Sequence, residues 1–89
     1  MDEVETWNVT IDIGEHDGRT RAVARLRTRD TAQVTGVGFA RLAPTDEDVP
    51  EIGAEIAAAR ALADLSRNLL GVATADVEQV TGESAQLVM

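Results

Sequence analysis

Eighty-nine residues make one domain, and a chain of this length buries only about 60–65% of its unfolded surface, so its core is thin and a second subunit would help it. Cysteine is absent, which excludes a disulfide scaffold, a thiolate metal site and a cysteine nucleophile. The net charge is −8, from eight Asp, eight Glu and eight Arg with no Lys, a balance that weighs against non-specific attraction to DNA or anionic membrane. The charges are segregated: five of the eight Arg fall between positions 19 and 29, and the acids gather near the two ends and before the long helix. The start MDEVETW has no basic segment or apolar run. No stretch approaches the ~18 apolar residues that span a bilayer. The expected location is cytoplasmic, with no membrane partner.

Met1 to Glu5 is short, acidic and expected to be flexible. From Thr6 to Gly14, Trp7, Val9, Ile11 and Ile13 alternate with Asn8, Thr10 and Asp12, the pattern of a half-buried strand. Glu15-His16-Asp17-Gly18 carries turn chemistry, with Asp-Gly as its strongest pair. A second strand runs from Arg19 to about Thr28. Ala22, Ala24 and Leu26 take one face, while Arg19, Arg21, Arg25 and Arg27 take the other with Val23. Arg29-Asp30 makes a second tight turn. A third strand, about Thr31 to Leu42, is apolar on both faces: Val34, Gly36, Gly38, Ala40 and Leu42 alternate with Val37, Phe39 and Arg41. Glycine weakens a strand, so Gly36 and Gly38 need a reason, and the close approach of an Ala-rich helix supplies one.

Ala43 to Val49 leads into that helix, Pro50 to Leu70. Pro50 suits the first helical position, and Asp46, Glu47, Asp48 and Glu51 complement the positive end of the helix dipole. At 100° per residue Ile52, Ile56, Ala59, Ala63 and Leu70 form one apolar stripe, and Leu62, Leu65 and Leu69 a second beside it. Gly53, Arg60, Asp64, Arg67 and Asn68 fall opposite. Gly71 reads as the helix stop, and Thr74 as the cap of a short second helix, ADVEQV. Thr81 to Met89 has little to bury. The expectation is an α+β domain over residues 6–81, flanked by flexible segments 1–5 and 82–89. Its core is a three-stranded antiparallel sheet in β-β-β-α order, with one long helix on one face and a short C-terminal helix.

The arginine strand is the feature with a functional physical reading. Side chains two apart on a strand share a face at roughly 6–7 Å, comparable to phosphate spacing, and the guanidinium fork matches phosphate oxygens. The alternative is a solvated face whose arginines pair with Asp12 and other acids. Trp7 and Phe39 sit in apolar contexts, which speaks against base stacking. Beyond the sheet, Leu62, Leu65 and Leu69 exceed what three strands cover unless the short helix folds over them. With Val37 and Phe39 they form a candidate homodimer interface. His16 stands alone in a turn, so neither a metal site nor a triad can be built on it. Asp46-Glu47-Asp48 lacks the spaced ligands of a calcium loop, and Gly36-Val37-Gly38 lies in a strand with no lysine following. No catalytic constellation, cofactor site or small-molecule substrate site emerges, and the chain is not expected to be an enzyme.

The strings EHDGRTRAVARL (Glu15–Leu26), VTGVGFARL (Val34–Leu42) and EIGAEIAAARALADL (Glu51–Leu65), with Val9–Ile13 before them, resemble a small actinobacterial family of unknown function with a fold like the double-stranded-RNA-binding domain (dsRBD). Its members include mycobacterial dormancy and hypoxia-response proteins. The resemblance covers roughly residues 6–81 and implies a β-β-β-α core followed by a short helix, a homodimer, no catalysis, and a likeness to ribosome hibernation factors. This chain departs from RNA-binding relatives of the fold where they carry lysines at the start of the last helix: Asp46, Glu47, Asp48, Glu51 and Glu55 stand there instead. Two functions follow as expectations. One is a non-enzymatic stress or dormancy protein that contacts ribosomal RNA through Arg19, Arg21, Arg25 and Arg27. The other is a homodimeric interaction module whose arginines meet an acidic protein.

Overall fold

Four elements follow in chain order: β1 (Asn8–His16), β2 (Arg19–Arg27), β3 (Val34–Arg41) and α1 (Pro50–Thr81). The computed structural model describes residues 3–29, 32–41 and 50–82. Asp30 of the expected Arg29-Asp30 turn, the outer ends of strand three at Thr31 and Leu42, the link 43–49 with its acids, and the chain beyond Gly82 lie outside the described residues. The strands form one antiparallel sheet in the order β1-β2-β3. Asp17 and Gly18 join the first two with φ of 51° and 73°. Both lie in the left-handed region, as the two central residues of a type I′ turn must. That turn sets the register from His16 opposite Arg19 to Asn8 opposite Arg27.

Alternation along β2 and β3 sends Thr20, Ala22, Ala24 and Leu26, with Val34, Gly36, Gly38 and Ala40, to one buried face. Against them α1 sets Ala57, Ala61 and Leu65. A Cβ at Gly36 would overlap the Ala61 carbonyl oxygen and the Leu65 amide and lie 2.7 Å from Leu65 Cα. One at Gly38 would do the same to Ala57 and Ala61. The helix backbone therefore rests on a glycine floor, the close approach expected from these two residues.

That approach rotates α1 away from the orientation its hydrophobicity suggests. Ala57, Ala61 and Leu65 face the sheet, while Ile52, Ile56, Ala59 and Ala63 of the expected stripe are exposed. The polar residues expected on the solvent side instead run along the free edge of β3. Asn68 Nδ2 donates to the Thr35 carbonyl at 2.6 Å, the Val37 amide donates to Asp64 Oδ2 at 2.9 Å, and Arg60 Nη1 donates to the Phe39 carbonyl at 2.6 Å. Residues 60, 64 and 68 are one helical turn apart and meet alternate residues of the strand, so they stand in for a fourth strand.

The helix is also longer than expected. Gly71 lies inside a single 32-residue helix, so there is no separate short C-terminal helix. Val72 packs against the core, holding the chain helical through the glycine. Thr74 does not cap; its Oγ1 donates back to the Leu70 carbonyl at 2.8 Å. The stop comes at Gly82, with φ of 74° and its amide on the Glu78 carbonyl at 2.7 Å, an αL C-cap. At about 1.5 Å per residue, α1 outruns the sheet. The molecule measures 53 × 31 × 22 Å, with a radius of gyration of 16.7 Å against about 12 Å for a compact chain of this length.

Candidate nucleic-acid interface

The sheet face turned away from α1 is built in cross-strand rows. His16, Arg19 and Arg41 make the first, Gly14, Arg21 and Phe39 the second, and Asp12, Val23 and Val37 the third. Thr10, Arg25 and Thr35 follow, then Asn8 beside Arg27. All four arginines expected to share a face do so. They do not form one continuous stripe, because Val23 separates them into two groups with different surroundings.

In the lower group Arg25 is ion-paired to Asp12, and Arg27 Nη2 donates to Gln33 Oε1 at 2.8 Å. The upper group is Arg19 and Arg21, joined by Arg41, which parity along β2 alone does not bring to the site. None of the three makes an ion pair among the described residues. The helix bonds to Thr35, Val37 and Phe39 show that these residues turn their backbone groups away from β2. Arg19–Arg41 and Arg21–Phe39 are therefore non-hydrogen-bonded pairs, with Cα atoms about 4.5 Å apart and side chains close. Two guanidinium groups directly opposed weaken a sheet. Such a pair gains from an anion placed between its members.

Phe39 is 49% exposed beside Arg21, so the apolar context inferred for it does not hold: it is an aromatic platform on the basic face. Gly14 has no atom within 4 Å of where its Cβ would stand and leaves the floor open beside Arg21. Together these residues border a broad, shallow depression of about 590 Å³, lined also by Arg19, Val23 and the Arg25–Asp12 pair, and by Ile13, Glu15 and His16 of β1. The signal for Phe39 and Arg41 was present in the sequence as shared parity with Val37. It becomes usable only once β3 is registered on β2.

The five residues expected at a dimer interface do not form one surface. Val37 and Phe39 lie on the arginine face. Leu65 is 5% exposed under the helix, and Leu69 packs against the same core, so both already serve the single chain. Of the helix leucines in that set, only Leu62 stays substantially open, at 42%. Among the described residues no helix is long and apolar enough to cross a membrane.

These features define a small α+β protein: a three-stranded meander carrying one long helix on one face and an arginine-bearing open sheet on the other. Residues 5–86 match the Rv2632c-like family, and the chain belongs to it. It is 52% identical over 85 residues to the uncharacterised protein Mb1767 of Mycobacterium bovis, covering 96% of this chain and 89% of the relative. It is 48% identical over 77 residues to the uncharacterised protein Rv2632c of Mycobacterium tuberculosis, covering 86% and 82%. The crystal structure of Rv2632c aligns with a TM-score of 0.81 at 45% identity, over 93% of this chain and 99% of that one.

Proposed function

We propose that this protein is a non-enzymatic, cytoplasmic RNA-binding module that takes a single-stranded segment across its open sheet face. Arg21 beside exposed Phe39, flanked by the opposed and unpaired Arg19 and Arg41, carries the reading. An aromatic ring offers a stacking surface to any base, and neighbouring guanidinium groups hold the phosphates on either side. Double-stranded RNA is disfavoured, because Glu51 and Glu55 are exposed on the first turns of α1, where a dsRBD uses cations. Ribosomal RNA during stress or dormancy is the target that the hibernation-factor likeness suggests.

Co-sedimentation with ribosomes or 30S particles at low and high salt tests this reading. Three phosphate contacts, one each at Arg19, Arg21 and Arg41, would give a log–log salt slope of about −2, a loss of roughly 20-fold between 50 and 200 mM salt. R21A and F39A should each release the protein from the pellet at low salt. Absence from the pellet at both salts would remove the proposal. The apolar centre of the face, Val37 and Phe39, favours a second reading, an acidic protein partner. A nuclease-resistant complex that R21A abolishes, with no ribosome binding, would support it instead.

A further inference from the structure

The two edges of the sheet are treated differently. Side chains of α1 close the β3 edge, whereas β1 is left open. In a two-residue hairpin the flanking pair, here His16 and Arg19, exchanges both hydrogen bonds, so the even-numbered residues of β1 bond to β2. Val9, Ile11 and Ile13 therefore turn their amides and carbonyls outward, and these have no partner among the described residues. α1 lies over β2 and β3 and scarcely reaches β1. Val9 and Ile13 are consequently 42% and 47% exposed on the helix side of the sheet. A nine-residue edge that is β-branched, apolar on one face and unpaired is a template for another strand.

We infer that the strand is supplied by a second copy of this chain, pairing antiparallel along β1 about a two-fold axis through Ile11 to give a six-stranded sheet. That register sets Val9 against the partner's Ile13 and Thr10 against the partner's Asp12. It opposes no like charges, whereas centring on Asp12 would place two carboxylates face to face. It joins Val9, Ile11 and Ile13 of both copies into one apolar strip. Leu62 borders that strip, since it lies on the opposite flank of α1 from Arg60, which marks the β3 side. The pairing stands without the RNA proposal, although it would carry both basic faces on one side of a single sheet.

Light scattering of the full chain at about 100 µM, in buffer without RNA, reads the pairing directly. The expected mass is twice the 9.5 kDa of the chain. I13P removes an outward amide while sparing the ladder to β2, and should give a monomer. V9K and I13E should each do the same, and the double variant V9K/I13E should restore the dimer through opposite charges across the seam. Circular dichroism identifies any variant that fails to fold, leaving the others to decide. A monomeric native chain overturns the inference. So does a dimer that folded I13P and V9K leave intact but that breaks on substituting Ile52 and Ile56. A monomer that still binds RNA overturns the pairing alone, and a dimer that ignores RNA overturns the function alone.

Discussion

At Gly38 one hydrogen in place of a methyl group decides how near α1 lies to the sheet. The atoms a Cβ would strike are the Ala57 oxygen and the Ala61 nitrogen, both backbone and both tied into the helix, so no rotamer change relieves the overlap. G38A should therefore fall at or beyond the upper end of the ~1–3 kcal/mol seen for overpacking, and lower the melting temperature by roughly 10 °C or more. Gly14 is the internal control. It is also a strand glycine, but its space is open, so G14A should raise stability by about 0.5 kcal/mol through the smaller entropy loss of alanine. Thermal melts of the two variants check this; similar behaviour would mean that strand propensity, not helix contact, governs both sites. On the other face, Arg19 and Arg41 are opposed like charges kept without a carboxylate among the described residues.

At the scale of the element, α1 shows how packing overrides a local signal. A glycine costs a helix interior only about 1 kcal/mol relative to alanine. Val72 on the core beyond it is enough to carry the helix to the αL cap at Gly82. G71A should accordingly stabilise the protein by about 1 kcal/mol in urea unfolding; destabilisation would mean that Gly71 ends the helix in the left-handed conformation. The strands were legible in the sequence because alternation and the Asp-Gly turn are local, and because Gly36 and Gly38 announce a close helix. The rotation of α1 was not. A helical wheel ranks Ile52 and Ile56 above alanine for burial, but the glycine floor takes Ala57, Ala61 and Leu65 and leaves the isoleucines outward. Arg60, Asp64 and Asn68 likewise read as solvent residues until the β3 edge lies beside them. The arginines were readable by parity along β2, whereas Phe39 and Arg41 joined them only through the pairing of β3 with β2, whose register, Leu26 opposite Val34, the expected Arg29-Asp30 turn does not specify.

Across the whole molecule, charge and shape pull apart. A net charge of −8 repels a polyanion at long range, so the proposed RNA recognition rests on Arg19, Arg21 and Arg41, which make no ion pair among the described residues. The affinity should be modest, steeply dependent on salt, and confined to the upper half of the open sheet, since Arg25 is already held by Asp12 and Arg27 by Gln33. The most direct measurement is an NMR titration of the isotope-labelled protein with a short single-stranded RNA at low salt, following backbone amides, the Phe39 ring and the arginine side chains. The expected result is a contiguous set of shifts at Arg19, Arg21, Val37, Phe39 and Arg41, with the exposed surface of α1 unmoved. Shifts centred on the helix, or none at all, would contradict the account.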